Sequence, residues 1–273
     1  MSSFGGTTRA QKRRMGQRDL WDVIVNNDDV CFTHILPRLN RNDVKFLFQV
    51  NTETRALVKR SSRREELRTA FKVEEMSSIS TLELAWEGQS MWNETEFCEK
   101  VAKTHKLEFL KWIREEKKCE WDAQTINAAA EQGNLEMLKY CVANQCPVDE
   151  TLCGHAAFHG HLECLKYLHE EVEAPWDLRT AAWAAQEGRL HILEYLVERK
   201  YNKYTERACM YAAWKGHLDC LKFLHETAKE PWDAEAVRGA YESEHPECLQ
   251  YLLDNDCPLP KGWRYKNGML YKW

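Results

Sequence analysis

One pattern of about 28 residues is copied along most of this chain, and it restricts the possible fold more than any other feature. GNLEMLKYC (133–141), GHLECLKYL (160–168), GRLHILEYL (188–196) and GHLDCLKFL (216–224) start 27, 28 and 28 residues apart. Weaker copies start at Glu244 (EHPECLQYL), His105 (HKLEFLKWI) and Ser77 (SSISTLELA), which gives seven units over residues 77–260. Aligned, the copies form columns. One is Ile79, Leu107, Leu135, Leu162, Leu190 and Leu218. Another is Leu82, Leu110, Leu138, Leu165, Leu193, Leu221 and Leu249. A third is almost purely aromatic: Trp112, Tyr140, Tyr167, Tyr195, Phe223 and Tyr251. Apolar residues at relative positions 0, 3, 5 and 6 are the buried stripe of a short helix.

A second helix is expected before each glycine. The pairs Ala129-Ala130, Ala156-Ala157, Ala184-Ala185 and Ala212-Ala213 stand there. Ala is the best helix former and the smallest side chain a helix can pack on a neighbour. Gly133, Gly160, Gly188 and Gly216 can then end that helix at positive φ. The turn Pro175-Trp176-Asp177 recurs as Pro231-Trp232-Asp233 and is echoed in Trp121-Asp122 and Trp92-Asn93, with Asp placed to cap the next helix. Each unit therefore reads as turn, helix, Gly, helix. One such unit cannot hide its apolar face, but a stack of them can, which predicts an all-α solenoid.

The run A-A-x-x-G-H-L-E-x-L-K-x-L, present as AAFHGHLECLKYL (156–168) and AAWKGHLDCLKFL (212–224), resembles the ankyrin repeat. Ankyrin units run about 33 residues. The shortfall here lies between one unit's second helix and the next unit's first, so the β-hairpin finger is expected to shrink to a tight turn on Pro-Trp-Asp. The resemblance implies protein binding on the concave side, along the first helices. At the C-terminus, Asn267-Gly268 flanked by strand formers predicts a hairpin cap over residues 261–273, with Trp263 and Tyr265 lying on the last helices.

Charge divides the chain. Residues 1–76 hold 15 Lys/Arg and 10 Asp/Glu, net +5, and residues 77–273 hold 23 and 33, net −10. Residues 1–18 are expected to be a basic flexible tail and residues 19–76 a small helical bundle. Within the bundle, Ile35, Leu36 and Leu39 are expected to share one helical stripe. Asn42-Asp43 should cap a second helix carrying Val44, Leu47 and Val50, and a third should carry Ala56 and Leu57. The pattern I-L-x-x-L-x-x-x-D-V-x-x-L-x-x-V-N-x-x-x-R-x-L, with Asp43 and Arg55 also matching, resembles the F-box. It departs at Asn27-Asp28, where Leu-Pro would stand, and at Thr54, where Trp would. The resemblance implies that residues 29–60 bind a Skp-type adaptor of a cullin–RING ubiquitin ligase through Ile35, Leu36, Leu39, Val44, Leu47 and Val50.

The eleven cysteines and ten histidines raise the question of metal or nucleophile chemistry. Periodicity argues against it. Cys164, Cys220 and Cys248 share a column, as do Cys119, Cys146 and Cys257; His161, His217 and His245 share another, and His169 and His225 a fourth. Members of one column are a repeat apart, too far to converge on one ion. The tightest grouping, Cys153 with His155, His159 and His161, is expected to be packing. No G-x-S-x-G, Walker loop or H-E-x-x-H occurs, so no catalytic residue, metal or cofactor is expected. An odd cysteine count without a signal-peptide core points to reduced thiols in the cytoplasm or nucleus. The basic run of Lys59, Arg60, Arg63, Arg64 and Arg68 is interrupted by Glu65 and Glu66, which favours a solvated helix face over nucleic-acid contact. No apolar run reaches the ~18 residues of a membrane span.

Two positions between each Ala pair and its Gly vary freely between otherwise similar units: Glu131-Gln132, Phe158-His159, Gln186-Glu187 and Trp214-Lys215. Variation there suits a contact surface. Phe158 and Trp214 are expected as apolar anchors, with Trp183 and Tyr211 one helical turn earlier. The function expected is non-catalytic protein binding on the concave face, as the substrate receptor of a ubiquitin ligase or as a plain ankyrin-type scaffold. A Cys/His-dependent enzyme is the weakest reading.

Overall fold

The structure is a computed structural model that describes residues 31–39, 41–50, 52–65, 72–73, 76, 78–88, 93–266 and 268–272. The basic tail, Asn27-Asp28, Arg68, Trp92 and Asn267 lie outside the described residues. Backbone packing divides the chain into two units at Ser90/Met91.

In the first unit a π-helical turn (Cys31–Ile35) and a 3-10 turn (Leu36–Arg38) precede α1 (Arg41–Val50), α2 (Thr52–Arg60) and α3 (Ile79–Gly88). The stripe of Ile35, Leu36 and Leu39 therefore does not lie on one α-helix. Pro37 stands in the first positions of the 3-10 turn and cannot donate an α-helical hydrogen bond. Arg63 holds this segment, donating from Nη1 to the carbonyl oxygens of Leu36 and Leu39. That is a structural use for a cation expected on a solvated helix face. Asn42 lies inside α1 instead of capping it, and its amide bonds both backbone groups of Lys72. Leu36, Val44, Leu57, Val58 and Leu82 are buried.

The second unit holds six helix pairs among the described residues. They are α4 (Glu94–Ala102) with α5 (Leu107–Glu115), α6 (Ala123–Glu131) with α7 (Leu135–Ala143), and α8 (Leu152–His159) with α9 (Leu162–Glu170). Then come α10 (Leu178–Gln186) with α11 (Leu190–Glu198), α12 (Glu206–Lys215) with α13 (Leu218–Glu226), and α14 (Ala234–Glu242) with α15 (Pro246–Asp254). No strand separates the pairs among the described residues, so the finger is indeed reduced to a turn. Asn93, Asp122, Asp177 and Asp233 cap α4, α6, α10 and α14, each accepting a bond from a backbone N–H in the first turn.

First helices pack directly on one another, and the second helices lie farther apart. The Ala pairs explain this: Ala129, Ala130, Ala156, Ala157, Ala184, Ala185, Ala212 and Ala213 are all fully buried. The stack is tighter on the first-helix side, which is its inner face. The Leu column from Leu110 to Leu221 is also fully buried, each side chain contributing about 1.5–3 kcal/mol by leaving water.

Two backbone columns sit at positive φ. Gly133, Gly160, Gly188 and Gly216 lie at φ 66–78°, and His105 (61°) and Glu244 (59°) take the same conformation in the outer copies. The second column, after each second helix, contains no glycine: Lys118, Gln145, Glu173, Lys200, Lys229 and Asp256, at φ 52–60°. Left-handed backbone costs an L-residue roughly 1–2 kcal/mol. Lys200→Gly is therefore expected to raise the unfolding midpoint by a few degrees in a thermal melt, while a proline there should lower it.

The cap closes the stack as the hairpin signal implies. β1 (Trp263–Lys266) pairs antiparallel with β2 (Met269–Lys272), with Trp263 opposite Lys272. Trp263 meets Tyr241 edge-to-face at 5.1 Å, and Gln250 Nε2 donates to Tyr265 Oη at 3.1 Å. Tyr241 stands where earlier units have the second Ala of the pair, a substitution possible because a hairpin, not another helix, follows.

Candidate functional site

The recurring columns join one repeat to the next. In four units the residue at the position after the glycine column covers the glycine of the preceding unit. The His161 ring lies over Gly133, His217 over Gly188, His245 over Gly216, and Arg189 takes that place over Gly160. His161 Nε2 pairs with the Glu131 carbonyl at 3.0 Å and Arg189 Nε donates to that of Phe158 at 3.2 Å. Burial pulls the His161 pKa down and favours the neutral ring. His169 and His225 stack on Trp176 and Trp232 at 3.7 Å, so these Trp rings lie against the preceding second helix as well as beside the next turn. The aromatic column ties units through its hydroxyls: Tyr140 donates to Glu115 (3.1 Å), Tyr195 to Glu170 (3.1 Å) and Tyr251 to Glu226 (2.8 Å).

The cysteines are equally structural. All eleven are buried free thiols. Cys119, Cys146 and Cys257 donate to the carbonyls of Glu94, Asp122 and Asp233, closing each unit on the start of its own first helix. Cys98 and Cys119 stand with sulfurs 3.0 Å apart. Burial pushes Cys164 and Cys248 to about 11 and Cys153, Cys209, Cys220 and Cys257 to about 12. Thiols this far above their usual range form little thiolate at neutral pH and are poor nucleophiles. No grouping of His, Cys, Asp and Glu among the described residues could hold a metal ion. Within Cys153, His155, His159 and His161, His155 Nδ1 pairs with Glu131 at 3.0 Å, and His159 stacks beside His161 at 6.1 Å.

One carboxylate departs from the pattern. Glu230 occupies the turn column of Cys119, Cys146 and Cys257, and burial lifts its pKa to about 7. The sign follows from linkage. Well below pH 4.5, folded and unfolded chains both hold the proton. As pH rises toward 7 the unfolded chain releases it first, so folding stability falls. Glu230→Gln removes this titration. Its melting-temperature advantage over the parent should be small at pH 4 and reach several degrees at pH 8; an offset independent of pH would contradict the assignment.

The variable residues lie at the ends of first helices, on the inner face. Trp214 is 44% exposed, His159 and Lys215 are exposed, and Phe158, Trp183, Gln186, Glu187 and Tyr211 are half-buried. Trp183 fills the space above Gly154 and meets His155 at 5.4 Å and Phe158 at 6.2 Å, both edge-on. Tyr211 and Trp214 lie 6.3 Å apart, and Gly239 leaves room for Trp214 from the next helix. The surface thus gathers half-covered aromatic rings on α8, α10 and α12. Sequence reasoning missed its continuation to Tyr241, 41% exposed, and Trp263, because Tyr241 interrupts the Ala column. In the first unit, Leu36 and Val44 are buried, Ile35, Leu39 and Leu47 are half-buried, and the Val50 side chain lies outside the described part.

Two family models match, both described as ankyrin repeats: a three-copy model over residues 154–235 and a many-copy model over residues 126–169. Residues 126–235, the middle of the stack, are thus similar to ankyrin repeats, here in units of about 28 residues. No curated protein matches the chain. No helix among the described residues is long and apolar enough to cross a membrane.

Proposed function

We propose that this chain is a non-catalytic scaffold that holds a partner protein on the inner face of its repeats. Ankyrin repeats support a protein–protein interaction role at the coarse level. The observation that carries the finer reading is the division of labour between columns. Leu, Ala, Gly-His and Tyr positions are consumed by packing between units, and Cys119, Cys146 and Cys257 by closing a unit on itself. Aromatic and charged residues that vary from unit to unit stand half-covered at the inner tips, where interface energy is usually concentrated in a few large rings. Affinity purification of the tagged full chain from its native cell tests this. A Phe158→Ala/Trp214→Ala variant should lose a partner that a Glu163→Ala/Asp219→Ala variant, altered on the second helices, retains. Equal retention by both would reject the inner face.

A second reading concerns the first unit: a substrate-receptor role in a cullin–RING ligase, through a Skp-type adaptor. It is supported by the F-box-like pattern and by α1 and α2 falling near the expected positions. Because Leu36 and Val44 are buried, the residues left for an adaptor are Ile35, Leu39 and Leu47. Copurification of the adaptor with the full chain, abolished by Leu39→Asp, is the expected result. No adaptor in the purified complex would leave the plain scaffold. A location in the cytoplasm or nucleus accords with the eleven reduced thiols.

A further inference from the structure

Charge is not spread evenly over the inner face. In the middle of the stack its polar groups are paired: His155 with Glu131 at 3.0 Å, and Arg179 with Asp177 at 2.5 Å and Glu150 at 3.3 Å; on α14, Arg238 pairs with Glu235 at 3.3 Å. At the C-terminal tips of the last first helices the pattern differs. Residues 261–272 carry Lys261, Arg264, Lys266 and Lys272 and no acid, within a stretch (77–273) whose net charge is −10. Lys215 Nζ sits 4.6 Å above the Trp214 ring. Lys272 Nζ sits 3.4 Å from the centre of the Tyr241 ring and 4.2 Å from that of Trp263. Among the described residues neither Lys215 nor Lys272 has a carboxylate partner.

An ammonium held over an aromatic face is fixed in position without being neutralised. Its remaining N–H groups still seek an anion, and the rings beneath present apolar area beside it. Two such arrangements occur at this end of the face, one at the tip of α12 and one between α14 and the hairpin. Glu242 and Glu244, at and just beyond the end of α14, line a groove with Tyr241 and are opposing charges on this surface.

We propose that the C-terminal end of the inner face, formed by Trp214, Lys215, Tyr241, Trp263 and Lys272, binds an acidic segment of a partner protein. Large apolar side chains of that segment rest on Trp214 and Tyr241, and its carboxylates meet Lys215 and Lys272. This rests on the inner-face reading and adds the chemistry of the partner. The position is specific because the chain as a whole, at net −5, repels acidic peptides.

The probe is a pair of labelled dodecapeptides, (Glu-Leu-Glu-Phe)₃ and (Lys-Leu-Lys-Phe)₃, titrated into the full chain at low salt. The acidic peptide should bind about ten-fold or more tightly than the basic one, against the net charge, and weaken as salt screens the contact. Trp214→Ala and the double variant Lys215→Glu/Lys272→Glu should each weaken it about ten-fold. Both sites are exposed, so melting temperature should stay close to the parent's. Preference for the basic peptide, no binding of the acidic one, or acidic binding untouched by these variants overturns the proposal. If it falls while Phe158→Ala/Trp214→Ala still strips a partner in the affinity purification, the inner face stands and only the acidic assignment is lost.

Discussion

Gly133→Ala is expected to destabilise the second unit by about 3 kcal/mol, far more than an exposed Gly→Ala change elsewhere. Two costs add. Gly133 holds φ at +66°, which costs an L-residue roughly 1–2 kcal/mol. The new Cβ would also stand 2.4 Å from His161 Nδ1, with two more ring atoms within 3 Å. That ring is anchored on the Glu131 carbonyl, so relief means breaking the contact between two repeats, and overpacking of this kind costs about 1–3 kcal/mol. Denaturant unfolding separates the two parts. In a His161→Ala background the clash vanishes, and the glycine substitution should then cost only about 1 kcal/mol. Gly268→Ala is the matching control: its φ is +74° but nothing lies within 4 Å. Equal penalties at Gly133 and Gly268 would show that the His ring does not clamp the preceding glycine.

Leu165→Ala carries the other large effect. Leu165 is fully buried in α9, near the middle of the stack. Its truncation removes transfer energy and leaves a cavity between helices that cannot collapse, at a cost of about 2–5 kcal/mol. Because each repeat touches only its neighbours, the loss should also split cooperativity, with units on either side of the lesion melting separately. Two resolved transitions by calorimetry, or hydrogen exchange that accelerates in α8–α11 before α14–α15, is the expected outcome. Trp214→Ala, by comparison, should barely move the melt. A single sharp transition with unchanged midpoint in Leu165→Ala would mean that the Leu column is not the core.

What was legible in the sequence was whatever the repeat forces into every copy. Where a further repeat follows, the Leu and Ala columns have little freedom, since each must fill the same gap between successive helices, and there their burial follows the expected register. Caps at Asp122, Asp177 and Asp233 were legible because a side-chain oxygen one residue before a helix has few other uses. The hairpin was legible from Asn267-Gly268. The left-handed column of Lys118, Gln145, Glu173, Lys200, Lys229 and Asp256 was not; tertiary packing imposes that conformation on residues whose identity gives no sign of it. The turn before α1 was misjudged as a helical stripe because Ile35, Leu36 and Leu39 have helical spacing while Pro37 breaks the hydrogen-bond ladder. For the candidate site, the variable tips were visible as positions released from packing. The pairing of Lys272 with Tyr241 and Trp263 was not, since it joins a hairpin to a helix some thirty residues upstream.

The account turns on the inner face being the one that receives a partner. Photo-cross-linking tests it most directly, with benzoylphenylalanine placed singly at His159 or Trp214 on the inner face, or at Glu163 or Asp219 on the second helices, in the full chain in its native cell. One and the same partner should be captured from positions 159 and 214 and from neither of the others. Capture from 163 and 219 with silence at 159 and 214 would contradict the account.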